Sequence, residues 1–282
     1  MVKIIADSTC DLSKELIQKY DISIIPLHIL LGDDEYEDGF GVTPDEIFKW
    51  SDANGATPKT SACSLDTAME VMKPFVEQKQ EIICFTIASG MSTTINVMRL
   101  AAEELEAEDL VHVVDSANLS TGIGLQVLLA ATLAKEGKSV NEILEVIEAK
   151  KGKVRASFVV DTLTYLHRGG RCSGVAALAG GVLKLHPKIE VVAGKMDASK
   201  KYRGKMSSVV MNYVKDMEEE LKKADSSRVF ITHSGCDEKV VSSVRAYLEE
   251  LHVFNEILET RAGGVISSHC GPGTLGVLYI AE

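Results

Sequence analysis

Aromatic residues are scarce in this chain. Phe, Trp and Tyr make up 5% of its 282 residues, against 45% hydrophobic residues in all. Its cores must therefore be aliphatic, which suits parallel sheets covered by helices and equally suits a cavity for an alkyl chain. Basic charge is in deficit too. Thirty Lys and Arg against 41 Asp and Glu leave a formal net charge of −11, which argues against a general affinity for nucleic acid. The densest basic run, Lys200-Lys201-Tyr202-Arg203-Gly204-Lys205, is short enough to read as a solvated loop. No apolar run reaches the ~18 residues of a membrane span. The richest, from 174 to 185, is too short, so no stable membrane insertion is expected. Met1-Val2-Lys3-Ile4-Ile5-Ala6-Asp7 enters a strand pattern without a charged leader and apolar stretch, so a cytoplasmic location is expected. Six cysteines (Cys10, Cys63, Cys84, Cys172, Cys236, Cys270) are scattered without a CxxC pair, which predicts reduced thiols. No ligands cluster at metal spacing, so neither a metal nor a cofactor is expected.

The length suits two α/β lobes. Apolar, β-branched runs at Val2–Ala6, Ile22–Leu30, Ile82–Ile87 and Leu110–Val114 read as strands. Helix patterns lie between them: one capped by Asp11 or Ser13 and running to Tyr20, one opened by the Thr43-Pro44-Asp45-Glu46 capping box, one after Ser64, and one from Ser92 to Glu108. Such alternation predicts a parallel sheet with crossover helices. After a helix over Ser139–Lys151 the polar stretch Lys150-Lys151-Gly152-Lys153 marks a boundary, giving lobes 1–153 and 154–282. The second is a mixed α/β lobe, with strands at Ala156–Val160, Ile189–Val192, Arg228–His233 and Gly276–Ile280 and helices at Lys205–Ala224 and Glu238–Leu251.

Four small, polar clusters follow strands or precede helices: Asp7-Ser8-Thr9, Thr60–Ser64, Ser89–Thr94 and His269–Thr274. Ligands of open α/β sheets bind at the carboxyl ends of strands, where helix N-termini offer free N–H groups to anions. Ser89–Thr94 follows the strand ending at Ile87 directly. Its small residues let an anion approach, and its hydroxyls donate without full positive charge; helix capping by Ser92 or Ser64 is the plainer alternative. Neither hydroxyl segment carries Lys or Arg, which favours a carboxylate over a phosphate. His269, between Ser267-Ser268 and a Gly-Pro-Gly turn, is poorly placed for a core histidine. His167-Arg168-Gly169-Gly170-Arg171 is either a solvated corner or a docking point for anionic groups.

Other motifs fail. Gly122-Ile123-Gly124 lacks the third glycine of a dinucleotide fingerprint and sits in a helical run. No phosphate-loop motif is present, and no GxSxG elbow. A Ser92, His269 and Asp7 triad has the right residue types without support from sequence order, leaving an acyl hydrolase or acyltransferase as the alternative to a carrier.

Six segments in order resemble the DegV family: Ile5–Leu12, Lys59–Ser64 (its TSQPS segment), Ala88–Thr94 (SSGLSGT), Val113–Ser116 (VVDS), Leu163–Arg171 (TLEYLKRGGR) and His269–Gly273 (HxGPG). The resemblance implies two α/β lobes with a long-chain fatty acid such as palmitate between them, bound and not turned over. It implies a carboxylate held by Thr60 and Ser92, with His269 beside it and Ser61 and Thr93 flanking. It also implies a partner, a separate fatty acid kinase that makes acyl phosphate for phospholipid metabolism, docking on a surface that includes Arg168 and Arg171. Ala62-Cys63 in place of Gln-Pro and Thr93 in place of a glycine depart from the pattern, and both bear on which acid is preferred.

Overall fold

The structure, a computed structural model, describes residues 1–172 and 185–282. Up to Lys153 the chain forms β1 (Lys3–Asp7), α1 (Lys14–Tyr20), β2 (Ser23–Ile25), β3 (His28–Leu31), β4 (Asp34–Glu37), α2 (Pro44–Asn54) and β5 (Lys59–Ser61). There follow α3 (Leu65–Glu77), β6 (Ile82–Thr86), α4 (Thr94–Glu104), β7 (Val111–Asp115), α5 (Thr121–Lys135) and α6 (Val140–Lys151). Strands β2-β1-β6-β7 make an all-parallel sheet, and β4-β3-β5 a small antiparallel one.

Alternation along the parallel strands sorts their side chains to two faces. Ile5, Ile82 and Cys84 pack with Met72 of α3 and Met98 of α4. Ile4, Ala6, Ile83 and Phe85 pack with Ile123 and Val127 of α5. Helix α5 is buried at every position from Thr121 to Leu128, because a second sheet covers its other side. A helix apolar all round belongs in such a sandwich.

The second sheet is built from β8 (Val154–Val159), β9 (Leu185–Val192), β10 (Lys195–Arg203), β11 (Ala224–His233), β12 (Glu256–Arg261) and β13 (Leu275–Ala281). Its order is β10-β9-β8-β13-β11-β12, antiparallel except where β11 runs parallel to β12. Phe158, Phe230 and Leu278 face α5. Val159, Val229 and Val277 face α8 (Met206–Asp216) and α10 (Glu238–Glu250). The short helices α7 (Thr164–Gly169), α9 (Glu218–Leu221) and α11 (Gly264–Cys270) complete the described residues.

Several expectations are corrected. Pro26 lacks the N–H a ladder needs, so the run Ile22–Leu30 splits into β2 and β3, which join different sheets. The basic run read as a loop at Lys200–Arg203 is the end of edge strand β10, where charge discourages pairing with another chain. The helix expected over Lys205–Ala224 breaks at Met217 into α8 and α9. The helix expected from Ser92 to Glu108 spans Thr94–Glu104. The apolar run from 174 to 184 lies outside the described residues. Among the described residues no helix is long and apolar enough to cross a membrane.

Candidate functional site

Strand β5 places Thr60 opposite Ile29 of β3, and the last turn of α11 brings His269 to it. The Thr60 Oγ1 and His269 Nε2 atoms are 2.8 Å apart, across 209 residues of sequence. What fixes α11 comes from early in the chain. The N–H of Gly263 donates to Asp11 Oδ1 (2.8 Å), and the N–H groups of Gly264 and Val265 donate to Asp38 Oδ1 (2.7 and 3.3 Å). Free amides at a helix start need such acceptors. Asp11, one of two candidate caps for α1, is thus spent elsewhere; Ser13 caps that helix.

The third hydroxyl lies in the turn between β6 and α4. Its backbone is tied to the neighbouring strand end: Ala88 N–H donates to Asn118 O (2.9 Å) and Ser89 N–H to the Asp115 carboxylate (3.3 Å). Ser92 N–H donates to Ala88 O (3.2 Å). Ser92 Oγ accepts from Thr94 N–H (3.3 Å) and sits 2.8 Å from Thr94 Oγ1.

Thr60, Ser61, Ser92, Thr93 and His269 line one cavity of about 410 Å³, with Arg171 as its cation. Its apolar lining includes Leu27, Ile87, Met91, Leu119, Val265 and Ile266. That volume suits a small-molecule site. A narrow apolar space of about 30 Å³ adjoins it, sharing Leu119, Ile266 and Cys270, and reaches Phe158 and Leu278 of the second sheet. A larger groove of about 660 Å³ lies elsewhere and is lined by charged groups such as Arg155, Lys188, Glu190 and Glu220.

Burial, aided by the Arg171 charge, pushes His269 down to about 4, so the ring is neutral at physiological pH. Its Nδ1 has no hydrogen-bond partner among the described residues and faces Gly169, where a Cβ would lie 2.5 Å from it. A buried orphan acceptor is less costly than an orphan N–H. The hydrogen-bond pattern therefore assigns the proton to Nε2, which donates to Thr60 Oγ1 and leaves the Thr60 hydroxyl hydrogen free for an acceptor in the cavity. The imagined triad is not assembled. Asp7 accepts from Thr9 and from Ile87 N–H, and His269 meets Thr60 rather than Ser92 or Asp7.

A family model described as "Uncharacterised protein, DegV family" matches residues 1–282. The chain belongs to the DegV family. A DegV domain-containing protein of Deinococcus radiodurans is 32% identical over 280 residues, covering 98% of this chain and 97% of that one. One from Clostridium perfringens is 31% identical over 281 residues, covering 100% and 99%. Among solved structures, a fatty-acid-binding DegV protein of Thermus thermophilus superposes with a TM-score of 0.91 at 30% identity, covering 100% of this chain and 99% of that one. A stearic-acid-binding protein of Eubacterium ventriosum does so with 0.87 at 29% identity, covering 100% and 98%.

Three of the six DegV motifs, with Arg171 of a fourth, thus meet in space: the five residues expected at the carboxylate share one cavity. The two arginines do not share one setting. Arg168 donates to Gly55 O (3.3 Å) and Thr57 Oγ1 (3.2 Å) at the end of α2, while Arg171 lines the cavity. Arg171 adds a cation to a cavity whose two hydroxyl loops carry none, and it arrives from a segment distant from both. Asp38 gave no sequence signal, because its partners, the Ser8 hydroxyl and the Gly264 and Val265 amides, lie 30 residues or more away. Of the methionines, Met72 and Met98 are fully buried core and Met69 packs against them, whereas Met91 and Met196 line the cavity.

Proposed function

We propose that this DegV protein is a cytoplasmic carrier that binds a long-chain fatty acid non-covalently and presents it to a separate fatty acid kinase. The observation that carries the reading is a cavity with hydroxyls from two distant loops, a neutral imidazole, the Arg171 cation and largely aliphatic walls. Thr60 and Ser92 donate to the carboxylate, His269 orients Thr60, Ser61 and Thr93 flank the head group, and Arg171 supplies countercharge. Residues 1–153 carry the head-group loops and residues 154–282 close over the acyl chain. The relatives from Thermus thermophilus and Eubacterium ventriosum, described as binding fatty acid and stearic acid, support the ligand class. The exposed Arg168 and the rim-facing Arg171 form part of the surface offered to the kinase.

Magnitudes favour binding by the tail and orientation by the head. Each buried methylene is worth about 0.8 kcal/mol, so a long chain contributes on the order of 10 kcal/mol before ordering costs. A hydrogen bond to a charged acceptor adds roughly 1.5–3 kcal/mol. A carrier needs no general base, and among the described residues no carboxylate holds the His269 Nδ1 as a catalytic base would require.

Native mass spectrometry followed by solvent extraction tests the reading. The expected result is close to one equivalent of fatty acid per chain, depleted in the Thr60→Ala/Ser92→Ala double variant, whose melting temperature stays near that of the parent. A ligand-free protein that also takes up no added palmitate or oleate would refute it, and hydrolysis of short acyl esters lost in Ser92→Ala would install the hydrolase reading instead.

A further inference from the structure

The hairpin of β9 and β10 turns on Ala193-Gly194, with φ of 48° and 75°; Val192 pairs with Lys195 on either side. Two successive positive φ values suit the right-handed twist of a two-residue hairpin, although alanine at the first position is strained. Val192 and Ala193 are exposed, but Gly194 at the tip is buried. It is seated on the turns that follow β6 and β7. A Cβ on Gly194 would lie 3.3 Å from Ala88 Cβ and 3.9 Å from Ala117 Cβ. A Cβ on Gly90 would lie 2.8 Å from the Gly194 carbonyl oxygen, closer than real Cβ contacts come.

Gly90 is not among the glycines with positive φ, so its backbone conformation is open to other residues. What excludes a side chain there is the approach of another segment's backbone. Gly90 stands two residues before Ser92, inside the turn closed by the Ser92 N–H bond to Ala88 O. Two residues beyond the tip, Met196 is buried and lines the same cavity. The hairpin therefore both walls the cavity and presses on the turn that presents its serine.

Resting on the fatty-acid reading, we infer that the β9–β10 hairpin tip positions the head-group turn, with the Gly194 carbonyl against Gly90 holding Ser92 in register with Thr60. Gly90 and Gly194 are positioning residues. Gly194 lies outside the cavity lining and Gly90 meets it with backbone atoms alone, so their effect passes through the Ser92 hydroxyl. The contact joins the second sheet to the end of the first, so the carboxylate site is complete only when the hairpin is seated.

The inference makes a prediction that a general loosening of the fold does not. A displaced Ser92 hydroxyl weakens binding of a carboxylate and leaves a chain of equal length with a neutral head nearly unaffected. The test measures affinities for palmitic acid and for hexadecanol on delipidated protein, in the parent, Gly90→Ala and Gly194→Ala, with melting temperatures alongside. Gly194→Ala disturbs the same contact from the opposite side, so the question stays answerable where one variant fails to fold. The expected result is about a tenfold loss for the acid, the scale of one hydrogen bond to a charged group, and less than about twofold for the alcohol. Equal losses for both ligands, or an unchanged affinity for the acid in both variants, overturn the positioning role while the fatty-acid reading stands. A parent protein that binds neither ligand overturns both.

Discussion

Strands β1 and β6 lie side by side in the parallel sheet, and both end in small polar residues. They solve the same problem in opposite ways. At the end of β1 the chain supplies its own anion: Asp7, fully buried, accepts from Thr9 N–H (3.0 Å), from the Thr9 hydroxyl (2.5 Å) and from Ile87 N–H (2.7 Å). At the end of β6 the chain supplies hydroxyls that line a cavity and no carboxylate to meet them. Strand ends of open α/β sheets favour anions. One of these two is filled by a side chain, and the other, under the proposed function, takes the ligand. A cluster of Ser and Thr at a strand end is thus informative only once its acceptors have been counted.

The largest effect should come from emptying the filled end. Asp7→Ala leaves the N–H groups of Ile87 and Thr9 buried without their acceptor. At roughly 1–3 kcal/mol per unsatisfied group, a loss of about 3 kcal/mol is expected in the denaturant unfolding of delipidated protein near pH 4, where burial of the Asp7 carboxyl carries no charge penalty. A loss below about 1 kcal/mol would break the comparison by showing that the β1 end is not held by its carboxylate.

Titration sharpens the contrast, because Asp7 and His269 are perturbed in opposite senses. Burial raises Asp7 from 3.8 to about 6, despite the lowering hydrogen bonds. Its contribution to stability is therefore full below about 4 and is lost as pH rises through 6. His269 is lowered from 6.5 to about 4, so its contribution is present above 6.5 and is lost as pH falls toward 4. Each of these two effects is worth about 3 kcal/mol. Asp11 and Asp38, also raised by burial, share the sign of Asp7. Unfolding free energies between pH 4 and 6.5 should therefore rise more steeply with pH in Asp7→Asn than in the parent, and less steeply in His269→Gln. Slopes that move in the same direction in both variants would show that the two strand ends are not electrostatically distinct.

How much of this was legible beforehand follows from how local each cause is. The Thr43–Glu46 box and the Ser64 cap depend on neighbours three residues away, and both are found as read. The parallel sheet declares itself in apolar runs. β5 does not, because three polar residues become a strand only by pairing with β3. Helix α11 opens without a capping side chain of its own; its acceptors are Asp11 and Asp38. Arg171 reaches the cavity from beyond α7. The family motifs picked out Thr60, Ser92 and His269 one by one, yet the pairing of Thr60 with His269 needs α11 docked on the first half of the chain. The hydroxyls were readable, and the contacts that aim them were not.

The smallest predicted effect makes the finest cut, because it divides a single cluster. Thr60 and Ser64 stand four residues apart in one polar segment, and both ligand binding and capping are open to either by composition. The structure gives them different work. Ser64 Oγ accepts from Thr67 N–H at 3.0 Å and caps α3, whereas Thr60 Oγ1 meets His269 on the cavity wall. Ser64→Ala should lower stability by about 1 kcal/mol, the usual worth of such a cap, and leave fatty-acid affinity unchanged. Thr60→Ala should do the reverse, weakening binding of the acid about tenfold with little change in melting temperature. If Ser64→Ala also weakened binding, the segment would act as one unit and the line between capping hydroxyls and ligand hydroxyls would fall. If neither variant changed affinity, the head group would have to be held by Ser92 and the backbone of the β6–α4 turn, and the hairpin that braces that turn would then bear more of the specificity than Thr60 does.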